Sequence, residues 1–310
     1  MRIAVIGAGA MGSIYAARLA EAGHDVAAVD TWAAHVAAIN SNGLRVEGPD
    51  GEILSCRVRA EESLHDVGAC DLYIIATKAS GVAASALAIA ETAPKDAVVL
   101  TIQNGLGAGE RIAAHLPEPN IMLGVAEGFG ASMRGPGHAH HTSMKQIGLG
   151  MLAGNSDRRL QDVAELWRSG GFSIRVYEDI NQLIWEKLLC NVALSGPCTY
   201  FGCNVADLIA DPTRWGLALG CMREAYAVGI AENVTFSFDD PEAYVTAFAK
   251  RVGSAKPSML QDHEAKRLSE LDAINGAIPQ LGKKHAIATP LNDSVCAEIR
   301  SREAEFTQAR

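Results

Sequence analysis

Lys187, Asn191 and Ser195 fall at i, i+4 and i+8 in Ile184-Trp185-Glu186-Lys187-Leu188-Leu189-Cys190-Asn191-Val192-Ala193-Leu194-Ser195. On a helix they form one polar stripe, with Ile184, Leu188, Leu189 and Val192 as apolar neighbours. A lysine beside apolar surface has its charged form disfavoured, which brings it towards use as a proton donor near neutral pH. The same spacing also fits a solvated helix face. A second set lies at Lys256-Pro257-Ser258-Met259-Leu260-Gln261-Asp262 and Arg267-Leu268-Ser269-Glu270-Leu271-Asp272. Ser269 and Asp272 have capping-box spacing, which predicts a helix from Ser269 with Glu270 in its first turn. On one continuous helix Ser258 and Glu270 would stand about 18 Å apart. A reversal near 263–268 would let them share a small ligand, whereas two ordinary helix caps also fit.

A third set is the glycine triplet Gly7, Gly9 and Gly12 in Gly7-Ala8-Gly9-Ala10-Met11-Gly12, which follows the apolar run Ile3-Ala4-Val5-Ile6 and opens an alanine-rich segment. In a strand–turn–helix unit the first glycine makes the turn and the second lets backbone approach a pyrophosphate. The third allows close helix–strand packing, and the phosphates rest on helix N-terminal N–H groups. Asp30 closes the next strand about 20 residues on, where a carboxylate accepts from the adenine ribose hydroxyls and repels a 2′-phosphate. Thr31-Trp32-Ala33-Ala34 offers no Arg or Lys, so the local chemistry favours NAD(H). Asp30 would alternatively cap the helix beginning near Trp32.

Three further positions have two readings each. Asn104, in Ile102-Gln103-Asn104-Gly105, ends a strand on the side where an open sheet meets its ligand, yet Asn-Gly is also a turn dipeptide. Lys78 is a helix-start surface charge or a cation near cofactor phosphates and ribose. His138, His140 and His141 suggest a metal, but without Cys or carboxylate partners at suitable spacing a strand-surface origin is expected and no metal is assigned.

The elements that must position these residues divide in two. Strands are expected near 2–7, 25–30, 71–76, 97–102 and 120–125, with helices at 10–22, 32–41, 79–92 and 106–116. This alternation implies βαβ units and a parallel sheet covered on both faces. Residues 44–58 read as a small hairpin turning at Pro-Asp-Gly, and 128–150 as antiparallel strands. A helix at 157–170 and a strand at 172–177 close the first domain. From Asp179, a plausible N-cap for Ile180, long helices are expected, near 205–231, 240–252 and 269–285. The fold class is therefore α/β: a Rossmann-type dinucleotide-binding domain over 1–177, then an all-α domain over 178–310. The cleft is expected between the domains, at the carboxyl ends of the parallel strands.

Composition bounds the partners. At 310 residues with 48% hydrophobic and 20% charged residues, the chain has a soluble globular balance, and its formal net charge of −9 argues against nucleic-acid or anionic-membrane surfaces. Cysteines 56, 70, 190, 198, 203, 221 and 296 form no CxxC pair, as suits a reducing compartment. The first strand starts by the second residue and no apolar run reaches about 18 residues, so a cytoplasmic location without membrane contact is expected. An exposed face of the helical domain could support a homodimer.

Together these pieces resemble the ketopantoate reductase (2-dehydropantoate 2-reductase) family nearly end to end. They are the glycine loop, Thr77-Lys78, Gln103-Asn104-Gly105, Trp185-Glu186-Lys187-Leu188 with Asn191, Ser258 to Asp262, Glu270-Leu271-Asp272-Ala273-Ile274-Asn275-Gly276 and His285 to Asn292. The resemblance implies NADP(H)-dependent reduction of a 2-keto acid, ketopantoate by family default, within pantothenate biosynthesis. It implies Lys187 as the general acid and Glu270 as its support, Ser258 on the substrate carboxylate, and Asn191 and Asn104 on the keto acid and its hydroxyl. Gly7, Ala8, Gly9, Ala10, Met11, Gly12, Lys78, Asn104 and Ala131 would hold the dinucleotide, in a cleft that closes to exclude water.

Three departures stand out. Members usually carry an arginine for the 2′-phosphate where this chain has Thr31. They usually carry a second asparagine where it has Ser195, which bears on the substrate-hydroxyl contact. The loop Val125-Ala126-Glu127-Gly128-Phe129-Gly130 lacks the usual threonines and is one residue longer. Alternatives are an NAD-dependent dehydrogenase of another 2-hydroxy acid, of a 3-hydroxy acid or of an opine, and a dinucleotide-binding regulator without turnover.

Overall fold

The computed structural model describes residues 1–143, 145–154 and 158–308. It forms two compact units: 1–103 with 108–180, and 104–107 with the described residues from 181 onward. A division at 177 assigns 104–107 to the first domain, but their packing places them in the second unit.

The first unit contains twelve strands among its described residues: β1 (Arg2–Ile6), β2 (Asp25–Val29), β3 (Leu44–Glu47), β4 (Ile53–Cys56), β5 (Arg59–Glu61), β6 (Leu72–Ile75), β7 (Val98–Thr101), β8 (Ile121–Glu127), β9 (Gly130–Gly135), β10 (His138–Ser143), β11 (Gln146–Met151) and β12 (Ile174–Val176). Its helices are α1 (Ala10–Glu21), α2 (Ala33–Asn42), α3 (Val82–Thr92), α4 (Ala108–Ala113) and α5 (Arg158–Ser169). An eight-stranded sheet runs β12-β11-β8-β7-β6-β1-β2-β5, parallel from β8 to β5. Its central strands β6 and β7 are buried throughout and apolar except for Thr101, as a sheet covered on both faces requires. Because β2 and β6 flank β1 on opposite sides, the connections leaving β1 and β6 diverge at the switch point where open sheets bind ligands.

The hairpin expected over 44–58 is β3–β4, and the described residues of 128–150 are mostly stranded, but β4-β3-β10-β9 form a separate four-stranded sheet. Helix α1 packs against strands of both sheets, which is why it is buried almost all round at Gly12 to Ala17 and Leu19. The helix expected over 106–116 is shortened to α4, Ala108–Ala113, because Gly107 takes a left-handed φ of +85° that excludes an earlier start.

The second unit is helical: α6 (Ile180–Phe201, the first residue counted with the first unit), α7 (Val205–Ala210), α8 (Pro212–Ala231), α9 (Pro241–Val252), α10 (Ser258–Glu264), α11 (Ala277–Lys284) and α12 (Pro290–Gln308). The helix expected over 205–231 is broken at Asp211, whose carboxylate accepts from the Thr213 and Arg214 N–H groups and starts α8 with Pro212 in its first turn. Leu188, Leu189 and Val192 of α6 enter a core with Leu208, Met222, Ile274, Val295 and Ile299. Among the described residues no helix is long and apolar enough to cross a membrane.

Candidate active site

In the first unit, the N–H groups of Gly7 and Ala8 both donate to the Val29 carbonyl, at 2.8 and 3.1 Å, which pins the glycine loop to the end of β2. Gly7 has φ +90°, and a Cβ there would come within 2.6 Å of the Thr77 nitrogen. A Cβ on Gly12 would lie 2.1 Å from the Gly7 carbonyl oxygen, whereas one on Gly9 would meet nothing within 4 Å. Two glycines are thus required by close backbone contact and the third faces open space. No side chain caps α1, so the first-turn N–H groups of Ala10 and Met11 remain to receive a ligand oxygen. These residues fit the pyrophosphate of a dinucleotide. Ala8 is fully buried with its N–H on Val29 and its carbonyl accepting from Ser13 Oγ at 2.7 Å, so it shapes the loop and offers no polar group.

Asp30 does not cap α2, whose N-cap is Trp32 without a side-chain hydrogen bond, but it organises the turn that leads there. Its Oδ1 accepts from the Trp32 N–H at 2.9 Å, organising the turn into α2, while Oδ2 makes no hydrogen bond among the described residues. Thr31 beside it is exposed. Lys78 is exposed and follows β6, at the residue before a 3-10 turn over Ala79–Gly81. Ala131 lies in the four-stranded sheet, opposite His141, half-buried against the core. The strand-surface expectation fails for His141: it is buried, with its ring stacked on Phe129 at 4.9 Å. Burial, with Arg18 nearby, holds its pKa below the ordinary histidine value. Among the described residues no group of three His, Cys, Asp or Glu side chains is placed to hold a metal ion.

The second unit brings the proposed acid together with a residue that sequence assigns to a strand end. Lys187 Nζ donates to Asn104 Oδ1 at 2.8 Å. The loop reaches this place because Gly105, at φ +82°, lies so close to the turn at Leu271–Ala273 that a Cβ would stand 2.0 Å from the Ala273 carbonyl oxygen. That carbonyl accepts the Leu106 N–H at 2.8 Å. Since the turn directly follows Glu270, Lys187, Asn104 and the segment bearing Glu270 are held in one neighbourhood. Asn191, one helical turn beyond Lys187, is half-buried, but Ser195, two turns beyond, is only 5% exposed.

Ser258 is exposed at the first position of α10, and the reversal that would let it share a ligand with Glu270 exists: α10 ends at Glu264 and Lys266 takes φ +50°. The helix expected over 269–285 forms only in its second half, as α11, and a 3-10 turn at Leu271–Ala273 takes the place of its start. Instead of capping, Ser269 donates its N–H and Oγ–H to Glu303 Oε1, at 2.8 and 2.6 Å, and Asp272 pairs with Arg300 at 2.8 Å. Glu303 also meets His263 Nε2 at 3.1 Å. Burial alone would raise the Glu303 pKa, but the hydrogen bonds from His263 and Ser269 outweigh it and hold the carboxyl below the usual range. Sequence reasoning missed Glu303, which lies on α12 within no motif. It missed equally the buried pair Asn275 and Asn292: Asn275 Nδ2 donates to the Val192 carbonyl of α6 and to Asn292 Oδ1, both at 3.0 Å. The quoted motifs contain both asparagines, which was the available signal.

Replacing Glu303 by Ala leaves Ser269 and His263 without their partner. Glu303→Ala is expected to destabilise the fold by about 2 kcal/mol, read as a lower midpoint in urea with an unchanged slope.

Known proteins match the chain over both units. Residues 3–154 match the family model ketopantoate reductase PanE/ApbA and residues 179–303 match ketopantoate reductase PanE/ApbA C terminal. The 2-dehydropantoate 2-reductase of Mesorhizobium japonicum is 32% identical over 324 aligned positions, covering 98% of each chain. A PanE/ApbA family ketopantoate reductase from Ralstonia eutropha superposes with TM-score 0.91 at 26% identity, over 99% of this chain and all of the other. The ternary structure of D-mandelate dehydrogenase with NADH and anilino(oxo)acetate gives TM-score 0.90 at 28% identity with the same coverage. By both sequence and fold, this chain belongs to the ketopantoate reductase family.

Proposed function

We propose that the chain is a 2-dehydropantoate 2-reductase-type enzyme that reduces the ketone of a small 2-keto acid, with NAD(H) as its preferred coenzyme. The observation that carries this reading is the 2.8 Å hydrogen bond from Lys187 to Asn104 beside the turn that follows Glu270, which places an oriented ammonium among polar groups. A nicotinamide coenzyme held by the glycine loop and Asp30 would supply the hydride for the keto carbon. Lys187 donates its proton to the carbonyl oxygen as that oxygen gains charge, and is reprotonated from solvent. Asn104 accepts from Lys187 through Oδ1, which leaves its amide N–H groups to donate to the substrate. Glu270 supports the ammonium, Ser258 binds the substrate carboxylate, and Asn191 orients the keto acid.

Ketopantoate is the first substrate to test, since relatives across the whole chain carry that reductase name. A different 2-keto acid is the second reading, favoured by the burial of Ser195 at the position where members usually present an asparagine. The D-mandelate dehydrogenase relative, solved with NADH and anilino(oxo)acetate, supports including aromatic 2-keto acids. A dinucleotide-binding regulator without turnover has no use for the lysine and asparagine pair. The deciding experiment is kcat/KM for a panel of 2-keto acids with NADH and with NADPH. Reduction of at least one panel member with an NADH preference is expected; a strong NADPH preference would overturn the coenzyme assignment, and no oxidation of either coenzyme would overturn the enzyme.

The coenzyme reading rests on Asp30 and Thr31. The double change Asp30→Asn with Thr31→Arg removes the charge that repels a 2′-phosphate and adds a guanidinium to bind it. It is expected to raise kcat/KM for NADPH relative to NADH by about tenfold or more, the effect of roughly 1.4 kcal/mol.

A further inference from the structure

Trp32 is the largest hydrophobic side chain exposed next to the end of β2, with 43% of its surface open to solvent. The ring is nevertheless held in place. It lies nearly parallel to the imidazole of His35, with an interplanar angle of 12° and 5.3 Å between centroids. His35 is fully buried and its Nδ1 accepts the Gly137 N–H at 2.8 Å, so the proton of the neutral ring sits on Nε2. That atom faces Ser13 Oγ at 3.5 Å, and Ser13 Oγ donates to the Ala8 carbonyl of the glycine loop at 2.7 Å. The exposed indole therefore rests on a buried group linked step by step to the glycine loop. Its backbone N–H is also the donor that organises Asp30.

In a dinucleotide the adenine ribose stands between the pyrophosphate and the base. With the pyrophosphate on the N–H groups of Ala10 and Met11 and the ribose on Asp30, the base extends past Asp30, and Thr31 and Trp32 are the next residues of the chain. Polar side chains there would compete with solvent for the purine edge, whereas a flat aromatic face binds it by stacking. We propose that the Trp32 indole, braced from beneath by His35, is a preformed stacking platform for the adenine ring of the coenzyme. The platform rests on the dinucleotide reading given above and adds to it the residue that recognises the base. Because the Trp32–His35 stack exists in the unliganded chain, little ordering of the indole remains for binding.

The test uses the full chain and two probes, NADH and ADP-ribose, the latter carrying adenine, ribose and pyrophosphate without nicotinamide. Dissociation constants are measured by calorimetry for the wild type, Trp32→Ala and Trp32→Phe, with circular dichroism confirming the fold of each. Trp32→Ala is expected to weaken both probes by about tenfold, within the range that base stacking on an aromatic side chain contributes. Trp32→Phe, which keeps a ring, should recover most of the loss. ADP-ribose should quench part of the wild-type tryptophan emission, and that part should be missing in Trp32→Phe. Unaltered binding of both probes by Trp32→Ala would overturn the platform and leave the dinucleotide reading intact. Failure of the wild-type chain to bind either probe would overturn both.

Discussion

Lys187→Ala is expected to bind NADH as tightly as the wild type and to reduce its 2-keto acid about a thousandfold more slowly. A positioned general acid contributes roughly 10²–10⁴ in rate, and a thousandfold loss corresponds to about 4 kcal/mol of transition-state stabilisation. The glycine loop and Asp30 belong to the first unit and Lys187 to the second, so coenzyme affinity and turnover should separate in this variant. NADH titration followed by fluorescence reads the first quantity and steady-state kinetics the second. Lys187 also holds Asn104 at 2.8 Å, so its removal frees the amide and some of the loss should appear as a raised KM for the keto acid. A variant with near-wild-type kcat would show that another group supplies the proton.

Gly105→Ala should be nearly as damaging, although the residue bears no functional group. The added Cβ would stand 2.0 Å from the Ala273 carbonyl oxygen; its position is set by the backbone and its partner is a backbone atom, so no side-chain rotation relieves the overlap. At φ +82° an L-residue adds about 1–2 kcal/mol of strain. The loop must withdraw from the turn at Leu271–Ala273, breaking the Leu106-to-Ala273 hydrogen bond and carrying Asn104 away from Lys187. A loss of about 3 kcal/mol in folding stability is expected, together with a fall of about a hundredfold in kcat at temperatures where the variant stays folded. Thermal denaturation and single-turnover kinetics on the same preparation check the two parts. Retention of both would mean that the loop has a second place to rest.

The sequence carried the fold and the chemistry unevenly. Strands β1, β2, β6, β7 and β8 of the large sheet and the helix bearing Lys187 follow from apolar periodicity and glycine placement, because those signals are local, whereas the three-residue edge strand β5 carries no such signal. The four-stranded sheet was not foreseeable in its pairing: β3, which ends at Glu47, meets β10, which begins at His138, and neither strand names its partner. Ser269 looked like a helix cap because Asp272 has the right spacing, but Glu303 and Arg300, both on the last helix, capture these two side chains instead. Tertiary hydrogen bonds overrode a local motif whose own contribution is about 1 kcal/mol. In the candidate site, Lys187, Asn104 and Glu270 were named from residue type and family resemblance. Their supports, Glu303 and the Asn275–Asn292 pair, act through backbone carbonyls or neighbouring side chains, and no residue spacing announces such roles.

The excursion of residues 104–107 has a practical meaning for building hybrids of such enzymes. A crossover at the visible junction near 177 looks like a clean exchange of a coenzyme module for another, yet it splits the asparagine from its lysine by parentage. A chimera joined there would take Asn104 from one parent and Lys187, with the Ala273 carbonyl that seats the loop, from the other. Four residues early in the gene would therefore have to travel with the second half for the hybrid to inherit a matched pair.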